Sequence, residues 1–345
     1  MANSKIRTVF SWIRRQWREN PLFSTCIALA VMVIVQTLAL GVHFDSFGDW
    51  FSSFCTNWIN VLRNNATVGI ISLGMTFVLV SGGIDLAVGS TLCMTGALFM
   101  LLTDSSGHGI LAAAGIHGWM AFAIALLLVI LAGALLGGLN GLLIANGRIP
   151  PFIVTLGTMK LFRSLTQFFM QKRTPVFPEP FLNFASLKTG DFMLMPIIYW
   201  LVVAVLLHFI FRKTVFGNHV IAIGSNEKAA KLSGINVNAI KRWVYILTGC
   251  LVALASTIQI SRLGSMDYSN AGSGSEMDAI ASVIVGGTRM SGGRGSIVGT
   301  MLGVLIIGVM NNLLNLMGVP PFLREAFKGV IVIVAVLLQR KEKTS

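Results

Sequence analysis

Residues 119–145 read WMAFAIALLLVILAGALLGGLNGLLIA, twenty-seven positions without one charged side chain. At 1.5 Å per residue a helix of that length covers about 40 Å, more than the hydrocarbon core of a bilayer at about 30 Å. The stretch therefore reads as a membrane-crossing helix. Similar apolar stretches lie near 22–42, 64–81, 86–102, 151–171, 193–211, 243–262, 277–286, 297–317 and 322–338, making ten in all. With no long polar stretch between them, a length of 345 residues predicts one membrane domain in place of two or three soluble ones. The predicted fold is an all-α polytopic membrane protein of about ten segments. A transmembrane domain, 22–338, stands between a basic N-terminus, 1–21, and a tail, 339–345, both cytoplasmic.

Composition agrees. Hydrophobic residues make up 54% and charged residues 11% of the chain, whereas soluble proteins carry about a quarter charged residues. A soluble enzyme is excluded on that ground. A net charge of +13 would point a soluble protein toward nucleic acid, but here the position of the charges is more informative than their sum. With the N-terminus inside, 17 of the 26 Lys and Arg residues fall on the cytoplasmic side: five before residue 21, Arg148, six in 212–242, Arg289, Arg294, and three after residue 339. The opposite loops hold four, Arg63, Lys172, Arg173 and Lys188. This asymmetry is the positive-inside signature of ten crossings.

Other chemistries find little support. Cys26, Cys55, Cys93 and Cys250 are far apart, without a C-x-x-C pair, and predict neither disulfide nor metal. The five histidines are dispersed, and neither a metal site nor a catalytic triad can be built from their spacing. The basic start before 22–42 imitates a secretory signal, but its apolar run of about 21 residues exceeds a signal core and is expected to stay as an anchor. Met290–Arg294 resembles the signature peptide of ABC ATPases. No Walker A lysine motif accompanies it, so the segment reads as a Gly-rich turn. No catalytic residue and no cofactor are predicted.

Two segments break the apolar pattern. Met277–Val285 is nine residues long and spans roughly 14 Å as a helix, half a membrane. The Gly/Ser-rich stretch 264–275 precedes it, and Ser275 with Asp278 suits an N-cap and capping-box variant. The prediction is a half-helix reached through irregular backbone, which at membrane depth requires protein or a water-filled cavity around it. The second break, Ser81–Ser90, sets Asp85 among glycines. Asp85 fits either a pathway beside a discontinuous helix pair or a tight cytoplasmic turn in which the Asp caps the next helix. Gly82–Ser90 and Gly286–Ser296 echo each other, as do the Pro-Pro-Phe runs at 150–152 and 320–322, which is compatible with a parallel repeat.

Polar residues inside apolar segments are the default functional candidates. Here they are Asp85, Asn140, Thr155, Gln167, Gln259, Glu276, Asp278, Asn311, Asn312 and Asn315, with Ser81 and Ser90 flanking the Gly-rich break. Asn311 and Asn315 lie one helical turn apart, and amides suit a neutral polyhydroxylated ligand. Interhelical hydrogen bonding accounts for them equally well. Asn140, inside Gly137-Gly138-Leu139-Asn140-Gly141, reads as close helix packing. Lys160 and Arg163 share a face, where they line an aqueous path, pair with Asp85 or Asp278, or snorkel to an interface.

The strongest functional signal is Ala222–Val237, in the cytoplasmic loop 212–242. Asn226 can cap a short helix from Glu227 to Ser233 that Gly234 ends. A short exposed helix between two membrane segments reads as a docking element for a cytoplasmic partner.

These residues resemble the permease subunits of bacterial ABC importers for monosaccharides, the ribose, xylose, arabinose, galactose and autoinducer-type group, with the ribose-type permease most similar. The resemblance runs from about Asn64 to Leu338. It rests on Gly74–Thr76 with Ser81–Ser90, Ile149–Gly157, Ala222–Glu227 with Leu232–Val237, Gly274–Ala281, Val285–Thr288, Gly292–Ser296 and Asn311–Leu316. It implies an inner-membrane subunit that hydrolyses nothing, surrounded by lipid and paired with a second permease copy. A cytoplasmic ATPase with two nucleotide sites would power it, and a periplasmic binding protein would deliver the sugar. Asn226, Glu227, Ala229, Ala230 and Gly234 match the coupling segment of such permeases, with Lys228 interposed in the usual Glu-Ala-Ala spacing. The chain departs from the family in a longer outer loop, Asp45–Asn60, whose aromatics Trp50, Phe51, Phe54 and Trp58 are expected at the membrane interface, with contact to the binding protein as the alternative. Alternating access is the mechanism implied. The competing class is an ion-coupled secondary sugar transporter using Asp85, Glu276 and Asp278.

Overall fold

The computed structural model describes residues 21–41, 46–186, 188–189 and 192–341; the predicted basic N-terminus, apart from residue 21, and the last four residues of the tail lie outside them. Each of the ten apolar stretches coincides with a helix. In chain order these are α1 (Pro21–Ala39), α2 (Phe47–Val80), α3 (Val88–Thr103), α5 (Gly118–Ala145), α6 (Pro151–Met170), α8 (Met195–Lys213), α11 (Val237–Leu263), α12 (Ser275–Val285), α13 (Ile297–Leu316) and α14 (Pro321–Lys341). Shorter helices α4 (Ile110–Ala113), α7 (Glu179–Ser186), α9 (Val215–Ser225) and α10 (Glu227–Leu232) join them. Among the described residues one two-residue antiparallel ladder, β1 (Lys188–Thr189) with β2 (Phe192–Met193), departs from the all-α expectation. Four helices, α5, α8, α11 and α13, are long and apolar enough to cross a membrane on length and composition alone.

The post of the bundle is α2, buried almost continuously from Ala66 to Val80 and packed on by α8, α11, α12 and α13. Its first half corrects an expectation. Within the outer loop expected at 45–60 the described residues, 46–60, are helix from Phe47 on, because Ser46 caps it by accepting from the Asp49 N–H at 3.2 Å. Phe47, Trp50, Phe54 and Trp58, three or four residues apart, then stack up one side with centroids 5.5–6.3 Å apart. An aromatic series at that spacing supports a helix better than a loop.

The tightest seam joins α5 to α11. Gly133 and Gly137 lie against the main-chain oxygens of Gly249 and Tyr245, and Gly141 against Arg242. A Cβ at Gly133 or Gly137 would overlap those oxygens, so backbones approach as small-residue packing allows. The same logic joins α12 to α13, where Gly286 meets Gly299 and Gly303 meets the Ser282 carbonyl. Outward, α5 presents Leu127, Leu131, Leu135 and Leu142, and α8 presents Leu201, Val205 and Phe209. Such all-apolar faces suit lipid.

Candidate coupling and translocation site

At one end of the bundle three Gly-rich segments meet. The α9 helix starts at Thr214, whose hydroxyl accepts from the Gly217 N–H at 3.3 Å, and ends with Gly224 set directly on the Val80 carbonyl. The Gly293 N–H donates to that same carbonyl at 2.9 Å. The end of α2, the end of α9 and the loop 286–296 thus form one main-chain junction. Asp85 lies beside it, buried, and its Oδ1 accepts from the Ala87 N–H at 2.9 Å. The bond closes a local turn, but the expected cap of the next helix is absent: Ala87 occupies the N-cap position of α3 with no side-chain cap bond. The Tyr245 hydroxyl donates to the Ile84 carbonyl at 3.0 Å and holds the turn against α11.

From α9 the chain passes straight into α10. Asn226 caps it, its side-chain oxygen accepting from the Ala229 N–H at 3.0 Å. Gly234 ends it at φ +83°, a left-handed conformation that glycine adopts without strain. Asn236 then caps α11, accepting from Ala239 at 3.1 Å. Ala230 is buried against Ile223 and Val237, and Glu227 pairs with Lys241 at 2.8 Å. On the other side Leu232 is 89% exposed, beside exposed Lys228, Ala229 and Lys231. The helix is therefore rigidly seated with a free face carrying one large apolar side chain.

The half-helix is α12, eleven residues long and so about 16 Å. It follows an irregular segment, 264–274. The cap is not Ser275, as its sequence setting suggested. Gly274 occupies the cap position at φ +82°, its carbonyl accepting from the Asp278 N–H at 3.0 Å, and Ser275 becomes the first helical residue. Freed from capping, Asp278 pairs with Lys328 of α14, Nζ lying 3.0 Å from Oδ1 with both side chains largely buried. Neither Lys160 nor Arg163 is its partner, because Arg163 is spent on the irregular segment: it donates to the Ala271 carbonyl at 2.6 Å and to Ser273 Oγ at 3.4 Å. Glu276 is half-buried where Gly89 and Gly272 touch through their backbones.

The remaining polar candidates divide. Ser81, Ser90 and Thr155 are buried, each hydroxyl donating to a carbonyl three or four residues back, at 2.7, 2.9 and 2.9 Å. Asn312 Nδ2 donates to Asn57 Oδ1 at 2.8 Å, an interhelical bond between α13 and α2. Asn315 Oδ1 accepts from Arg324 at 3.3 Å, and Asn311 is half-buried. Asn140 is buried in the glycine seam, and Gln259 is half-buried. Gln167 and Lys160, by contrast, are exposed on α6. Lys328 is the residue the sequence reading missed; the charges opening α14, Arg324, Glu325 and Lys328, were its only signal.

Helices of membrane length, a half-helix after an irregular segment and a projecting six-residue helix define a multi-pass membrane protein. The chain belongs to the family described as branched-chain amino acid transport system / permease component, whose model matches residues 57–336, and is a multi-pass permease of the inner membrane. It is 40% identical over 293 residues to the ribose import permease protein RbsC of Haemophilus influenzae, covering 84% of this chain and 86% of that one. The Bacillus subtilis RbsC is 43% identical, with 83% and 85% covered. The galactofuranose transporter permease protein YtfT of Escherichia coli is 31% identical, with 94% and 92% covered. No solved structure matches the chain.

Proposed function

We propose that this chain is the permease of an ATP-driven ABC importer that passes a monosaccharide, a ribose-like pentose or hexose, across the inner membrane by alternating access. It works as one of two copies, with a cytoplasmic ATPase carrying two nucleotide sites and a periplasmic sugar-binding protein. The observation that carries this reading is α10. A six-residue helix capped at both ends, buried through Ala230 and exposed through Leu232, has the form of a docking element. Its seat on α9 leads by main-chain contacts to the end of α2 and to the loop behind α12.

With both termini cytoplasmic and ten segments, the helix α10 and the loop 286–296 face the cytoplasm together, where the basic residues concentrate. ATP-driven movement of α10 then tilts α9 and shifts the junction at Val80. Asn226, Glu227, Ala229, Ala230 and Gly234 form the coupling element, and Glu276, half-buried in the first turn of the half-helix, is a pathway candidate. Ribose-like sugars are favoured over galactofuranose because the ribose import permeases share more of the sequence.

Reconstitution tests the reading. Proteoliposomes holding the chain with the ATPase and binding protein encoded beside it should take up a radiolabelled pentose or hexose only with internal ATP. Uptake by the chain alone, driven by a proton or sodium gradient, would establish the ion-coupled class instead.

A further inference from the structure

On α6 the buried face consists of Val154, Thr155, Thr158, Phe162, Thr166 and Met170. Diametrically opposite, and exposed, stand Gly157, Lys160, Ser164, Gln167 and Gln171, spaced three and four residues apart as one stripe. A Cβ added at Gly157 would meet nothing within 4 Å. The outward faces of α5 and α8 are apolar, as lipid requires. Ile153, Leu156, Leu161 and Phe168 are exposed on the same side, so the stripe is a narrow polar line; an ammonium, a hydroxyl and two amides in line along a membrane helix do not suit lipid, and such groups face protein or water.

A second observation says which. At the Gln171 end of the stripe lies an open cavity of about 610 Å³, lined by Gln167, Gln171, Asp267, Tyr268 and Ser269 together with Phe168 and two methionines. That volume falls within the range of roughly 300–1,000 Å³ typical of small-molecule sites. Amides supply both donors and acceptors, the chemistry that matches hydroxyl-rich solutes. Arg163, one residue before Ser164, donates to the Ser269 and Ala271 carbonyls and to the Ser273 hydroxyl, so the wall of the cavity formed by that segment is held in place.

We propose that the α6 stripe is the wetted wall of the sugar passage and that the cavity at Gln167 and Gln171 is its outer mouth, which takes a neutral monosaccharide from the binding protein. This deepens the import reading above and rests on it. The passage therefore runs along the outside of a single copy and is closed by the second one, while Ser81, Ser90 and Thr155 are buried within the copy.

The test is thiol accessibility in the assembled transporter with its ATPase and binding protein. In a chain relieved of its four native cysteines, Lys160→Cys, Ser164→Cys, Gln167→Cys and Gln171→Cys are compared with the apolar faces at Leu135→Cys and Val205→Cys. A charged, membrane-impermeant thiol reagent should label the stripe and abolish uptake of radiolabelled pentoses and hexoses. The controls should stay unlabelled and active. A stripe that is unreactive, that is labelled with uptake intact, or that only cross-links between copies overturns the assignment. Absence of ATP-dependent uptake of every sugar by the unlabelled transporter overturns the import reading itself, whatever the labelling. Uptake with an unreactive stripe overturns only the role of α6.

Discussion

Lys328 Nζ lies 3.0 and 3.1 Å from the two carboxylate oxygens of Asp278, joining the first turn of the half-helix to α14 across fifty residues of sequence. Glu325 Oε1, 2.8 Å from the same nitrogen, completes a three-member cluster. Removing one partner of a buried pair strands the other charge, which typically costs about 3–5 kcal/mol, while removing both is far milder. Lys328→Met should therefore destabilise the purified permease strongly, and Lys328→Met with Asp278→Leu should restore much of the loss. Thermal unfolding in detergent measures it; equal melting of single and double variants would count against the pair as a structural tie.

The glycine seam gives a contrast between neighbours. Gly137 faces the Tyr245 carbonyl with no room for a methyl group, whereas at Gly138 the nearest atom to an added Cβ is an Ile246 side-chain carbon at 3.4 Å. Gly137→Ala should cost about 1–3 kcal/mol through overpacking, and Gly138→Ala should be close to neutral. Comparing yield and melting temperature of the two in one membrane preparation checks the difference.

For coupling, the decisive positions are Gly234 and Leu232. Proline at 234 cannot adopt φ +83°, so Gly234→Pro should abolish sugar-stimulated ATP hydrolysis while the permease stays folded. Leu232→Glu touches an almost fully exposed side chain and should change stability by less than about 0.5 kcal/mol. It should nevertheless weaken co-purification of the ATPase. Unaltered stimulation in the first variant, or unaltered capture in the second, would count against α10 as the docking element.

At the end of the bundle remote from α10, Asp104 binds the N–H groups of Ser106 and Val176 at 2.9 and 2.8 Å and the Ser106 hydroxyl at 2.8 Å. Burial pushes its carboxyl upward, but these donors outweigh it and hold the group below the ordinary 3.8. Because the folded value is the depressed one, the stabilisation is complete above pH 3.8 and disappears as pH falls through the folded value. Asp104→Asn should lower stability at pH 7 by about 1–3 kcal/mol. The gap to the native chain should close on acidification below pH 3.8; a gap that persists at acid pH would show that charge is not involved.

The helices were legible because apolar length is a local property. The stretch expected at 297–317 is Ile297–Leu316, and that at 119–145 is Gly118–Ala145. Asn226 and Gly234 were legible for the same reason, since caps are read within one turn. What escaped depended on distance or on competition. The Asp278 partner lies fifty residues away, and Gly274 displaced Ser275 as cap because left-handed backbone suits glycine better. The α6 spacing of polar residues was written in the chain, but which face of α6 turns outward is decided by α3 and α5 packing on the other.

At the junction of Gly224, Val80 and Gly293 the three residues meet one another through main-chain atoms. Joints built from side chains interlock and give, so part of any displacement is absorbed by rotamer changes. Main chain resting on main chain acts as a bearing: it transmits compression without slack yet leaves rotation about the contact free. A stroke delivered at α10 would reach the membrane helices undiminished, and the smallest substituent placed in that bearing would jam it.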